Sequence, residues 1–366
     1  MRSLLVILLT SGTLYAQDPS DSGPAPPAWV ERASSAIGFH GRIFADLLRN
    51  GPHGGEVRQI RLRIDAEPTE SWRVRAQFEW TDIQNPFLEF RVQGELADGW
   101  VVRGGQFREP FGIEANTGLG ALPFLERSAA TDAFSPGRNR GATLHWKGDL
   151  NLAVGGFQGA EAAFGSSTSE HSLAARAWRT WQPNAKERLH AGISVTSRDA
   201  GSGALRFRAR QGTQLRPHAI DTGNLLGAEA MTYALEAAWQ DGPRTLQAEW
   251  LGAEVDLAGG TRAALHGVTV SCAWFLTGET RSYAESRGAW TEVTPYGEGP
   301  ALELVARASS TDLNDGPVSG GEQLDLDIGL NVHLTDNSRV MVHLVHSETK
   351  GAPTFDALLL RFHAGF

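Results

Sequence analysis

The side chains best suited to chemistry in this 366-residue chain are its arginines. Lysine occurs only at positions 147, 186 and 350, so the 33 basic residues include 33 − 3 = 30 guanidiniums. Spacing singles out a few of them. Arg206, Arg208 and Arg210 alternate with Phe207 and Ala209, and in an extended segment such residues share one face about 7 Å apart. Arg127, Arg138 and Arg140 lie in or at the exit of a long break in the pattern at 109–138, and Arg58, Arg61 and Arg63 lie on a regularly patterned segment. Forked cations in a row offer charge-assisted hydrogen bonds to oxyanions. Sites weak enough to leave suit the passage of an anion better than its capture.

Other chemistry has little support. The chain has no His-Glu-x-x-His pair, no Gly-x-Ser-x-Gly elbow and no phosphate-cradling glycine loop. Ser135, His145 or His171 would each need a partner base. Asp312-Leu313-Asn314-Asp315-Gly316 carries carboxylates without the full calcium-loop pattern and reads as a turn. No metal and no cofactor is expected. A single cysteine, Cys272, excludes an internal disulfide. The formal charge of −9 argues against a nucleic-acid partner.

The elements that must position the arginines follow from a period of two. Trp72, Val74, Ala76, Phe78 and Trp80 alternate with Arg73, Arg75, Gln77 and Glu79; Leu324 to Leu334 alternates in the same way. Strands are predicted at 37–47, 55–66, 70–82, 84–95, 98–108, 139–147, 149–159, 169–182, 185–198, 228–240, 242–255, 263–276, 299–309, 322–334, 337–348 and 354–366. Many have the roughly 9–11 residues of a tilted membrane strand. Short polar turns alternate with longer linkers at 109–138, 199–227 and 310–321, although 277–298 is long where parity calls for a short turn. The expected fold is an all-β transmembrane antiparallel barrel of about 16 strands, with long extracellular loops, two of them folded inward as a constriction. The face opposite the apolar one would carry Arg42, Arg61, Arg63, Arg73, Arg75, Arg91, Arg103, Arg307, Arg339 and Arg361 into the lumen, against Asp46, Asp65, Glu79, Glu89, Glu95, Glu249, Glu303, Asp325 and Asp327.

The first 16 residues read as a secretory signal peptide, with Arg2, an apolar run from Leu4 to Leu9 and a small residue at Ala16. Residues 17–36, rich in proline, serine and aspartate, read as a flexible periplasmic leader. The barrel domain would then span 37–366 in an outer membrane of the Gram-negative type. It would end on a strand with Leu358, Leu360, Phe362, Ala364 and Phe366 on one face.

Specific motifs accompany this pattern. Gly105-Gln106-Phe107-Arg108-Glu109-Pro110-Phe111-Gly112-Ile113-Glu114, Phe124-Leu125-Glu126-Arg127-Ser128 and Phe134-Ser135-Pro136-Gly137-Arg138-Asn139-Arg140-Gly141 occur in order. Phe275 to Tyr283, Leu302-Glu303-Leu304 with Arg307, and Asp312 to Gly316 follow. Together they resemble the phosphate-selective porin O and P family over roughly residues 37 to 366. The resemblance implies a sixteen-stranded homotrimer in outer-membrane lipid, a third loop folded into the lumen, and diffusion of small anions. No lysine lies between Glu109 and Arg140, and the second-strand basic pair of the family is Arg58-Gln59 here, so a general preference for small anions is expected over a sharp one for phosphate. The expected function is therefore passive diffusion with an anion preference set by an arginine-lined constriction. The competing readings are a structural or adhesive barrel with a plugged lumen and a barrel enzyme acting on lipids.

Overall fold

The computed structural model describes residues 37–49, 54–81, 86–160, 167–297 and 299–366; the expected signal peptide and leader, 1–36, lie outside the described residues. Sixteen antiparallel strands close into a barrel. They are β1 Ile37–Arg49, β2 Gly54–Thr69, β3 Trp72–Glu79, β4 Phe87–Glu95, β5 Trp100–Arg108, β6 Arg138–Trp146, β7 Asn151–Ala160, β8 Ser167–Asn184, β9 Glu187–Asp199, β10 Glu229–Asp241, β11 Arg244–Asp256, β12 Arg262–Phe275, β13 Ala301–Asp315, β14 Val318–Thr335, β15 Ser338–Thr349 and β16 Phe355–Gly365. Closure is made by β1 on β16, with Arg42 opposite Gly365 and Arg49 opposite Leu358. The terminal Phe366 ring packs over Gly41, where any Cβ would collide with it, and Phe366 also pairs its backbone with Gly41.

Strand alternation sorts the side chains as the period of two predicts. Leu324, Leu326 and Ile328 are exposed on the outside, Ile328 to 60%, while Gln323, Asp325 and Asp327 are buried inside. Trp72, Trp80, Trp100, Trp181, Trp250 and Trp274 are also exposed, as befits amphipathic rings at a membrane boundary. A β-bulge between Phe44/Ala45 and their β2 partners leaves Arg58 unpaired in register. Arg58 and Gln59 together occupy the interval between outward Val57 and Ile60, a two-residue step that a bulge permits.

One expectation about the connections is corrected, and one irregular connection gains an account. The linker predicted at 310–321 is wall: β13 runs to Asp315 and β14 begins at Val318, leaving a turn of Gly316 and Pro317, with Gly316 at φ 54°. Its serines, threonines and aspartates resemble a loop in type. Even so, Thr311 and Leu313 point inward and are buried while Ser310 and Asn314 are exposed. The segment 276–297, which follows β12, belongs to the short-turn end by strand parity and yet folds back into the barrel. There Tyr283–Ala284 pairs with Ala289–Trp290 around a tight turn.

Candidate permeation path

Three segments enter the lumen, and apolar residues carry them in. The connection from β5 to β6 contains two short helices, α1 Ile113–Asn116 and α2 Ala129–Phe134. Phe111, Ala130 and Phe134 from this connection join Phe207, Ala209 and Ile220 of the connection from β9 to β10. Together they pack on Leu251, Leu265 and Leu313 of the wall in one buried cluster. Burying such side chains stabilises each by roughly 1.5–3 kcal/mol, which sets the loops against the β10–β14 side of the lumen.

Polar contacts then fix the first loop. The Glu249 carboxylate accepts hydrogen bonds from the Ile113 and Glu114 amides at 2.8 and 3.0 Å, meeting the unpaired donors at the start of α1. Ser128 caps α2 by accepting from the Thr131 amide, and its hydroxyl donates to Glu114 at 2.6 Å. Between the helices, side chains of the wall and, at Arg281, of the connection from β12 to β13 hold the main chain. Arg281 donates to Ala121 O (2.7 Å), Arg339 to Leu122 O (2.9 Å), Asn331 to Pro123 O (2.8 Å), Arg361 to Leu125 O and Arg307 to Glu126 O (2.9 Å). Glu126 adds a charged anchor: Arg58 donates to it at 2.7 and 3.0 Å and Arg361 at 2.7 Å. Burial opposes the ionised form of Glu126, but Arg58 and Arg361 more than offset it and hold the carboxyl at about 2.

The opposite half of the lumen, along β1–β8, stays open. A cavity of about 780 Å³ runs from Thr81 and Gln214 near the loop end to Asn337 and Phe366 at the turn end. Twelve arginines line it (42, 58, 61, 63, 75, 91, 103, 108, 127, 138, 176 and 287), against five carboxylates (Glu56, Glu79, Glu89, Glu292 and Asp336). Three arginine pairs stand directly opposite one another across neighbouring strands: Arg42 and Arg61, Arg75 and Arg91, Arg108 and Arg138. Like charges in that relation destabilise a sheet. Two of the carboxylates that relieve them are shared, Glu89 between Arg91 (3.5 Å) and Arg138 (3.3 Å) and Asp65 between Arg63 (2.8 Å) and Arg75 (2.5 Å), while Glu79 serves Arg61 (2.8 Å) and Glu292 serves Arg42 (3.7 Å). Among the described residues, Arg103, Arg108, Arg127 and Arg287 have no carboxylate partner.

The arginines singled out by the sequence divide accordingly. Arg58, Arg61, Arg63, Arg127 and Arg138 come together on the cavity. Arg58 serves mainly as an anchor, and Arg61 is held by Glu79 at 2.8 Å. Arg127 donates to Thr117 O at 2.8 Å; burial pushes its guanidinium down, Glu114 pulls the other way, and Arg138 adds to the depression. Arg140, two residues further along β6 than Arg138, does not line the cavity. Nor do Arg206, Arg208 and Arg210. Arg206 is bound by Asp221 at 2.5 and 2.7 Å in an exposed pair, Arg208 is exposed, and Arg210 Nε donates to Arg216 O. The row fails because Phe207 and Ala209, which separate the arginines, are the buried face of that segment. The structure also leaves Ser135, His145 and His171 in separate settings: Ser135 ends α2, His145 lies tilted against Trp178 with ring centroids 5.0 Å apart, and His171 is exposed on β8.

Arg108, Arg176 and Arg287 are the cavity arginines that sequence reasoning missed. Arg108 ends a predicted strand, and its place in the quoted Gly105–Glu114 motif was a usable signal. Arg287 gave none, because it sits on the inward turn segment.

The family model for phosphate-selective porin O and P matches residues 47–363. An uncharacterised protein of Caulobacter vibrioides is 29% identical over 298 residues, covering 74% of this chain; the chain spans 58% of that relative's length. Among solved structures, the barrel is similar to a loop-deletion mutant of OmpT, an outer membrane protein of Vibrio cholerae, with a TM-score of 0.61, 9% identity, and coverage of 90% of this chain and 99% of that one. It is also similar to an anion-selective porin from Comamonas acidovorans, with a TM-score of 0.56, 9% identity and the same two coverages. At such identities the likeness is one of fold. The family match spans nearly the whole barrel, from within β1 to within β16, and by it this chain belongs to the phosphate-selective porin O and P family.

Proposed function

We propose that this protein is an outer-membrane porin whose open passage prefers small anions. The observation that carries the reading is the set of directly opposed arginine pairs on the cavity, Arg42/Arg61, Arg75/Arg91 and Arg108/Arg138. Such pairs oppose folding, and an anion between them removes the cost. A narrow, low-dielectric passage focuses their field. The Debye length is about 8 Å at physiological salt, so acidic residues on the outer loops are screened from a permeating ion. We assign the path to the β1–β6 arginines with Arg127, in place of Arg206, Arg208, Arg210 and Arg140. All of these cations are planar forks, which suits small anions in general. The homotrimer and the surrounding outer-membrane lipid enter through the family.

In planar bilayers under a KCl gradient, the reversal potential should lie on the anion-selective side. Arg108→Gln, which removes a cation without a carboxylate partner, should move it toward zero, while Arg206→Gln should leave it in place. A wild-type channel that prefers K⁺ overturns the reading.

A further inference from the structure

Charge is unevenly spread along the passage, and the turn end has a sign of its own. Glu70 in the turn from β2 to β3, Asp98 between β4 and β5, Asp149 between β6 and β7 and Asp336 between β14 and β15 are all exposed. Among the described residues, none of these carboxylates has an ion pair. The first three turns close the open β1–β8 half of the barrel, and Asp336 lines the cavity itself. The other charges near this mouth nearly cancel. Arg73 lies 3.1 Å from Glu67 and 3.5 Å from Glu95, Lys147 donates to Glu95 at 3.0 Å, Arg188 lies 3.6 Å from Glu285, and Arg42 lies 3.7 Å from Glu292. Lys186 is exposed between β8 and β9, while Arg179 and Arg244 lie over Trp181 and Trp274 on the outer face.

Deeper in, the sign reverses. Along β2 the lumen side runs from Arg58, Arg61 and Arg63 to Asp65 and Glu67 at the turn end, and along β4 from Glu89 and Arg91 to Glu95. Arg103, Arg108, Arg127 and Arg287, the cations without a carboxylate partner, all line the cavity. An ion crossing from the loops to the turns therefore meets uncompensated positive charge first and uncompensated negative charge last. Chloride gathers in the first zone and potassium at the second. A voltage that drives chloride toward the turns drives potassium inward from the rim, and the two fill the region between. The opposite voltage draws both ions out of that region and leaves it depleted.

We propose that the passage is a rectifier, which rests on the anion-porin reading above and adds a direction to it. Under equal driving force it carries anions from the loop side to the turn side more readily than back. The acidic rim acts through its field and holds no ion in place. A passive channel of this kind moves nothing against a gradient; the polarity shows in how steeply flux rises with force in each direction.

Single channels in planar bilayers with about 0.1 M KCl on both sides, where the Debye length is about 10 Å, should pass about twice the current at one polarity as at the other. Raising both sides to about 1 M, where that length is about 3 Å, should make the two currents equal. Glu70→Gln, Asp98→Asn, Asp149→Asn and Asp336→Asn in one chain should equalise them at low salt and leave the reversal potential on the anion side. These side chains are exposed, and asparagine tolerates the φ of 59° at position 98. Asp336→Cys supplies the orientation. A negatively charged thiol reagent added on the turn side should restore the asymmetry lost in that variant, with the larger current when that side is positive; a positively charged reagent should reduce it further. Neither should affect the wild type, whose Cys272 is exposed on the outer face. Symmetric wild-type current at about 0.1 M, asymmetry of the opposite sense, or asymmetry untouched by the fourfold change overturns the rectifier and leaves the anion porin standing. A cation-selective wild type overturns the anion porin and, with it, the direction assigned to the rectifier.

Discussion

The clearest single-residue test is Glu126. Its carboxyl sits between Arg58 and Arg361 and is held at about 2, below the ordinary value of about 4.3. A depressed carboxyl contributes stability above its unfolded value and loses it as pH falls through the folded one. The contribution, on the order of 3 kcal/mol, is thus intact at neutral pH, fades below about pH 4.5 and is gone near pH 2. Open-channel current noise should accordingly stay low at pH 5 and rise toward pH 2. Glu126→Gln should show that noise at pH 7, and quiet current in that variant would dissociate the pair from loop position. At this scale the sequence was partly legible. Parity placed Arg61, Arg63, Arg75, Arg91 and Arg103 inside, yet it could not separate arginines that face open water from those, such as Arg307, Arg339 and Arg361, that are consumed in gripping a loop. That distinction depends on contacts more than 180 residues apart in the chain, as between Arg307 and Glu126.

Strands were legible because one face meets apolar surroundings and the other does not, and the contrast recurs at every second residue. Ile328→Arg places a charge on an outward position that is 60% exposed and should cost roughly 2–4 kcal/mol if that position lies near the bilayer midplane. The neighbouring Gly329 behaves otherwise. A Cβ there would lie 2.4 Å from the His343 ring, and His343 is bonded to Asp327 (2.7 Å) and Asn331 (3.0 Å). Gly329→Ala should therefore disturb the lumen network without changing the membrane face. Urea unfolding from liposomes, compared for the two variants, measures the first effect, and chloride conductance the second. The segment 276–297 was illegible, because its length contradicted its parity and nothing local says that a turn folds inward. Tyr283 Oη on His190 Nδ1 (2.6 Å) and Trp290 Nε1 on Gln247 Oε1 (2.7 Å) are long-range docking contacts. Replacing 279–297 by a short glycine-serine turn should raise single-channel conductance, and an unchanged value would exclude the segment from the narrow part of the passage.

Over the whole molecule, net charge misleads. The chain is acidic, with a charge of −9, while its cavity is lined by twelve arginines and five carboxylates. Screening separates the two, and it supplies a test. The Debye length contracts from about 10 Å at 0.1 M salt to about 3 Å at 1 M, so the chloride-to-potassium permeability ratio should fall as both compartments are raised to molar KCl. A ratio independent of salt would mean that selectivity arises from close contact with the ions alone. Composition shows how many charges there are, and only topology shows which of them an ion meets. A last consequence concerns heredity. Arg281 and four wall side chains take hold of the first inward loop through peptide oxygens from Ala121 to Glu126, and every amino acid supplies that atom. Codon changes at Ala121 and Leu122 thus leave in place the atoms that Arg281 and Arg339 grip, whereas Arg307 also lies over the Phe124 ring at 4.3 Å. Lineages can therefore exchange those two side chains without first having to reinvent the grip that holds the loop.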